Sequence, residues 1–194
     1  MPSSLVRRCI VAARSAVPPP AMRHPPDPAA ATAFDPADDA EGLDPPGLAW
    51  FADLSVEVGA PIEIGRMAHG LRRVIPIAGG ACVGRGFEAR VLPGGADFQL
   101  VATPTMARLE ARYVLETDAG ERIYVQNDAV RTASPETMAR LVRGEPVDPA
   151  QVYFRCLPRF ECAAPALAWI GERVFLGVGV RRADRVRMRF FEVL

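Results

Sequence analysis

The sequence predicts an all-β protein: a single antiparallel β-barrel of about eight to ten short strands with one short helix. Two observations predict it. From Leu48 onward, short apolar or alternating runs follow one another, each ended by Gly, Pro or a glycine-containing turn. Only SPETMARLVRG, from Ser134 to Gly144, carries helix start and stop signals. Closing the sheet on itself removes its edges, so a barrel is preferred; a two-sheet β-sandwich is the alternative.

The elements follow in order. WFADLSVEVG reads as a first strand and PIEIGRMAHG as a second short run. In LRRVIPIAGG, Arg73, Ile75 and Ile77 share one face, with Arg72 and Val74 on the other. GFEARVLPGG sets Phe87, Ala89 and Val91 against Glu88 and Arg90, and DFQLVA continues the pattern. ARLEARYVLETDAGER is the clearest strand: Leu109, Ala111, Tyr113 and Leu115 on the apolar face, Arg108, Glu110, Arg112 and Glu116 on the polar one. A turn at Asp118-Ala119-Gly120 leads into RIYVQND, predicting a hairpin. In the helix, Ser134 is the N-cap, Pro135 the first helical residue, and Gly144 the stop. Its stripe of Met138, Leu141 and Val142 is expected to pack on the sheet. VYFRCLPRFEC reads as a strand broken at Pro158, and ALAWIGERVFLGVGVRR as a hairpin turning near Gly171-Glu172. In the last strand, Arg185, Arg187 and Arg189 alternate with Val186, Met188 and Phe190, which reads as an exposed basic face or a protected edge.

Composition bounds the function. The chain has 194 residues, nearly half of them apolar, and no formal net charge, so nothing marks a nucleic-acid partner. All 23 basic residues are arginine. Without lysine, Schiff-base chemistry, pyridoxal phosphate attachment and a P-loop lysine are excluded. Two histidines, His24 and His69, are too few for a multi-histidine metal site. Cys9, Cys82, Cys156 and Cys162 form no C-x-x-C pair and read as free thiols in a reducing cytosol, with a Cys156–Cys162 disulfide as the alternative. No apolar run reaches membrane-span length, so no membrane partner and a cytoplasmic location are expected. Residues 1–47, rich in Ala, Pro and Asp, are expected to be a disordered tail, leaving 48–194 as the barrel domain. A targeting segment, or translation starting at Met22, is the other reading of the first residues.

Two glycine pairs, Gly79-Gly80 and Gly94-Gly95, follow apolar runs and are expected to join and bend two strands. Asp97 lies just past the second pair, in Pro93-Gly94-Gly95-Ala96-Asp97-Phe98.

GLRRVIPIAGG, VLPGGADFQL, EARYVLETDAGERIYV, YFRCLPRFEC and AWIGERVFLGVG resemble, in order, the blocks of the bacterial and fungal family called domain of unknown function 3237, or uncharacterised protein family 0311. The resemblance runs from about Leu54 to Leu194 and implies one cytoplasmic antiparallel barrel, but no established reaction. Phe98 stands where members usually carry Trp, and Cys156 and Cys162 where they usually carry Thr.

The candidate catalytic residues are Asp97, Glu161, Arg155 and Tyr113. Asp97, at a glycine corner beside an aromatic, suits proton transfer, or it braces its own turn. Arg155 suits a ligand carboxylate or enolate, or a structural pair with Glu161 or Asp97. Tyr113 points to the apolar side, where its hydroxyl needs a partner. Arg73, Tyr124, Asn127, Trp169 and His69 are the candidate ligand-binding residues; the bland readings are core tyrosines, a packing tryptophan and a surface-loop histidine. No cofactor and no metal are expected, since Asp97, Glu161 and His69 come from separate strands. Three functions follow: a cofactor-independent acid–base enzyme (isomerase, dehydratase, cyclase or hydrolase) on a small carbonyl or aromatic metabolite; a non-catalytic barrel for a small apolar ligand; or an oligomerising structural module, hence a homo-oligomer.

Overall fold

The computed structural model describes residues 42–194; most of the expected tail, with Cys9, Met22 and His24, lies outside the described residues. Ten strands are present: β1 (Leu48–Val58), β2 (Ile62–Met67), β3 (Gly70–Gly84), β4 (Phe87–Val91), β5 (Ala96–Thr103), β6 (Met106–Thr117), β7 (Arg122–Thr132), β8 (Tyr153–Cys162), β9 (Phe175–Arg181) and β10 (Arg185–Val193). One helix, α1 (Pro135–Val142), follows β7.

Every pairing is antiparallel, and the sheet closes: β1 pairs with β10 on one side and β3 on the other. The barrel has eight staves because β4 and β5 share one. β4 pairs with β3 over Ala81–Gly84 and β5 over Leu71–Pro76, while β6 pairs with both. β2 continues along β3 where β1 stops, pairing with Gly70–Val74.

Strand alternation decides what faces inward. Along β6, Leu109, Tyr113 and Leu115 are buried, as their shared face predicts. Along β3, Arg73, Ile75 and Ile77 are buried. The glycine pair inside β3 does not end it. At Gly80 the backbone has φ +133°, and a Cβ would stand 2.1 Å from the Ser55 carbonyl oxygen, so β3 runs on through a close crossing with β1 rather than turning.

Two further features differ from expectation. β8 runs unbroken through Pro158, because its pairing to β9 ends at Cys156–Gly177 and leaves one edge with no ladder to interrupt. The stretch before β9 forms no strand: Ala168–Glu172 is a short 3-10 turn, held by bonds such as Ile170 N–H to the Leu167 carbonyl, that buries Ile170.

The lumen core at one end is aromatic. Phe51, fully buried, lies 4.6 Å from Phe175 and 5.2 Å from Phe160 between ring centroids. Helix α1 starts as expected: Ser134 Oγ accepts from the Thr137 N–H at 3.2 Å, and Pro135 takes the first position. Met138 and Leu141 pack with Ala107 and Val147 into a second small core. The arginines of β10 lie outside the barrel; Arg189 forks onto Asp53 at 2.7 and 2.8 Å. Cys82, Cys156 and Cys162 are free thiols, and burial pushes Cys82 and Cys156 up to about 12.

Candidate functional site

At the other end, the lumen keeps a cavity of about 50 Å³. Its apolar wall includes Val56, Ile75 and Phe154; its polar groups are Asp97, Gln99, Tyr113, Asn127, Arg131 and Arg181. That is room for a few waters or the head of a small ligand. A shallow groove on the outside of β6 to β9 is larger, about 620 Å³, but open, and its Arg112 and Asp128 pair with each other at 3.1 Å.

Asp97 is placed by the glycine corner before it. Gly94 has φ +106°, which opens the turn between β4 and β5. At Gly95 a Cβ would stand 2.6 Å from Tyr113 Cβ, so its absence lets β5 start flush against β6. Asp97 then turns inward, opposite Ile75 and Ala111. Its Oδ1 accepts from the Glu110 N–H at 3.1 Å and its Oδ2 from Gln99 Nε2 at 2.6 Å. Burial raises its pKa above the usual carboxylate value, against the Gln99 bond, the Arg131 charge, the Glu110 amide and the Arg73 charge.

Gln99 relays the network. Its Oε1 accepts from Arg73 Nε at 3.0 Å, and Arg73 Nη1 donates to the Val142 carbonyl at 2.9 Å, at the end of α1. The helix is thereby tied to the polar end of the lumen. Arg181 donates through Nη1 to the Arg182 carbonyl and, at 3.1 Å, to that of Arg185. Burial lowers the pKa of Arg73, Arg131 and Arg181, with mutual repulsion adding to it for Arg131 and Arg181; Arg131 comes down to about 10.

Among the described residues, four buried polar atoms have no partner: Tyr113 Oη, Asn127 Oδ1, Arg131 Nε and Arg131 Nη2. All belong to residues lining this one cavity. Buried polar groups are otherwise almost always paired, so the convergence of these atoms singles this cavity out. Burial also drives the Tyr113 hydroxyl well above its ordinary pKa, which keeps it a donor.

The structure brings Asp97, Tyr113, Asn127 and, one layer behind, Arg73 together. It does not bring the other predicted residues there. Arg155 and Glu161 are exposed on the outer face of β8, because Phe154, Cys156 and Phe160 take the inward positions. Arg155 pairs with neither Glu161 nor Asp97; it lies over the Tyr153 ring at 4.9 Å and donates to the Phe154 carbonyl. Tyr124 is exposed on the outside of β7, between inward Ile123 and Val125. His69 sits in the exposed turn between β2 and β3. Trp169 packs edge-on against Phe51 at the aromatic end, with Arg85 over its ring at 5.0 Å. Gln99, Arg131 and Arg181 were not among the predicted site residues. Among the described residues, no cluster of His, Cys, Asp and Glu could hold a metal ion, and no helix is long and apolar enough to cross a membrane.

The fold and cavity define a closed antiparallel barrel with a polar pocket at one end of its lumen. The family profile described as Protein of unknown function (DUF3237) matches residues 46–193, and the chain belongs to that family. It is 42% identical to a UPF0311 protein of Rhodopseudomonas palustris over 141 residues, 73% of this chain and 92% of that one. The crystal structure of that conserved protein of unknown function superposes with a TM-score of 0.74, covering 78% of this chain and 99% of the other. A β-barrel-like protein from Acinetobacter baumannii, 35% identical, gives a TM-score of 0.68 over 78% of this chain and 98% of its own. An enzyme from Penicillium herquei, 14% identical, shares the fold alone, with a TM-score of 0.59 over 78% and 96% of the two chains.

Proposed function

We propose that the polar end of the lumen is an acid–base site that acts on a small carbonyl compound without a cofactor. One observation carries the reading: a carboxyl with a raised pKa shares one cavity with the unpartnered polar atoms of Tyr113, Asn127 and Arg131. In this reading Asp97 removes a proton from the carbon next to the carbonyl. The C–H electron pair moves into the carbon framework, and charge develops on the carbonyl oxygen. The Tyr113 hydroxyl donates to that oxygen, and the surrounding guanidiniums stabilise the charge. Return of the proton from Asp97 to the same or another carbon completes an exchange or an isomerisation. That a barrel of this shape is an enzyme in Penicillium herquei is compatible with the reading but adds no residue to it.

The test is solvent-deuterium exchange in D₂O, read by proton NMR, with acetone, cyclohexane-1,3-dione and pyruvate. The wild-type protein is expected to accelerate loss of an α-proton signal from at least one of them. Asp97→Asn is expected to abolish the acceleration with an unchanged far-UV spectrum. Saturable binding without exchange of any of the three would instead leave a binding barrel. The apolar wall of Val56, Ile75 and Phe154 is the observation favouring that second reading.

A further inference from the structure

The charges facing this cavity do not balance. Arg131 of β7 and Arg181 of β9 line it, with Arg73 of β3 one layer behind, against the single lining carboxyl, Asp97 on β5; Gln99, Tyr113 and Asn127 add only neutral groups. Two of the three cations are committed. Arg73 is bonded to Gln99 and the end of α1, and Arg181 to the backbone of its own hairpin. Both oxygens of Asp97 are engaged by Gln99 and the Glu110 amide rather than by Arg131.

Arg131 is 1% exposed, and its Nε and Nη2 meet no acceptor. Its guanidinium carbon stands 5.9 Å from the centroid of the Phe154 ring, a contact that supplies no hydrogen-bond acceptor in the guanidinium plane. Leaving charged donors buried and unpaired is costly, and guanidinium does not escape by losing its proton near neutrality. The identity of the two free atoms matters. Nε–H and Nη2–H project from the same edge of the guanidinium plane, and that edge matches the two oxygens of a carboxylate in a side-on fork.

We infer that the ligand of this cavity is a small oxo acid, whose carboxylate is forked by Arg131 Nε and Nη2 while its carbonyl oxygen meets Tyr113. The carboxylate part stands on Arg131 alone, whereas the carbonyl part rests on the acid–base reading above. A carboxylate replaces the two missing acceptors and brings the cavity's charge closer to neutral. The volume of about 50 Å³ restricts the enclosed part to a few heavy atoms.

Pyruvate and its neutral isostere pyruvamide separate these statements. Binding is read by ligand-detected NMR and calorimetry, and exchange by loss of the methyl-proton signal in D₂O. Pyruvate is expected to bind about 10- to 100-fold more tightly than pyruvamide, the range for a charge-assisted fork. Arg131→Gln should erase that preference, and Arg155→Gln, on the outer face, should keep it. Equal affinity of the wild type for pyruvate and pyruvamide overturns the inference without requiring any variant to fold. So does a preference that survives in Arg131→Gln, because the anion then sits elsewhere. Preferential binding of pyruvate with no methyl exchange supports the Arg131 site and sinks the acid–base reading for this ligand. Exchange of pyruvamide as fast as pyruvate does the reverse.

Discussion

The two ends of the lumen are lined by the same strands in opposite ways. At one end Phe51, Phe160, Phe175 and Phe190 interlock, with Trp169 and Ile170 folded over them by the 3-10 turn. At the other, those strands and their neighbours present Asp97, Gln99, Asn127, Arg131 and Arg181. β7 shows the change along one strand: Ile123 and Val125 lie in the aromatic half, and Asn127, Ala129 and Arg131 in the polar half. Arg131 is as deeply buried as Phe51, at 1% and 0% exposed, although Asp97 and Arg181 are half-buried. What differs is satisfaction. The aromatic end gains from removing apolar area from water, whereas the polar end holds donors and acceptors with nothing to meet. On the proposed reading, such an arrangement sacrifices stability for a site that a ligand completes.

The largest effect should come from breaking the aromatic end. Phe51→Ala removes a side chain in contact with four aromatic rings, Phe87, Phe160, Trp169 and Phe175. A loss of about 3–5 kcal/mol is expected in a denaturant titration. The polar end should respond in the opposite direction. Arg131→Met replaces two unpaired donors by a flexible apolar chain against Phe154. It is expected to raise the ligand-free protein's stability by about 1–3 kcal/mol, the penalty of leaving such groups unsatisfied. A variant less stable than the wild type would mean that Arg131 is already satisfied in the free protein, and the contrast between the two ends would fail.

Much of that contrast was legible in the sequence, and particular residues show where reading stopped. Strand alternation sets Tyr113 with the apolar face of its strand and Arg73 with Ile75 and Ile77, while the glycine corner picks out Asp97 without deciding which way it faces. The same rule, carried two steps past Asn127, reaches Ala129 and then Arg131, beyond the RIYVQND run, which ends at Asp128. In FLGVGVR, alternation from Phe175 passes Gly177 and Gly179 to Arg181. A charge at the end of an apolar face reads as the strand running out, although here it is the lumen wall continuing. β8 misled in the other way. Pro158 reads as a break, and a broken strand offers no alternation that would turn Arg155 and Glu161 outward. The unbroken strand places Phe154, Cys156, Pro158 and Phe160 inward and both charges outward. Trp169 lies in a 3-10 turn, where period-two reasoning does not apply.

A subtler effect separates Asp97 from the carboxylates outside the barrel. Burial raises its folded pKa above the ordinary 3.8, so the folded state holds the proton more tightly than the unfolded chain. Linkage then makes stability fall as pH rises through the window from 3.8 to the raised value, and level off above it. Asp97→Asn removes that fall. Asp53 behaves oppositely, because its bond to Arg189 lowers its pKa; its contribution is present above 3.8 and fades as pH drops through the lowered value. Chemical denaturation across acidic to neutral pH should show Asp97→Asn losing less stability than the wild type as pH rises. The slope carries this comparison rather than the absolute level, since Asn, with a single amide oxygen, cannot accept from both Gln99 and the Glu110 N–H as Asp97 does. A parallel pair of curves would mean that Asp97 is as well solvated folded as unfolded, which its place in the cavity wall contradicts.

The smallest effects belong to the outer face, and they sharpen the comparison by their absence. Arg155→Gln and Glu161→Gln alter exposed side chains of β8, and no ion pair joins them. Exposed charges of this kind contribute little to stability. Neither substitution reaches the lumen, because the β8 backbone and the inward Phe154, Cys156 and Phe160 stand between them and the cavity. Both variants should keep the wild-type midpoint within experimental error, and both should keep the wild-type affinity for pyruvate. A loss of binding in Arg155→Gln would shift the ligand to the outer groove, where Arg155 lies beside Tyr153 and Leu157. The unpaired atoms of Tyr113, Asn127 and Arg131 would then be a property of the core rather than of a site.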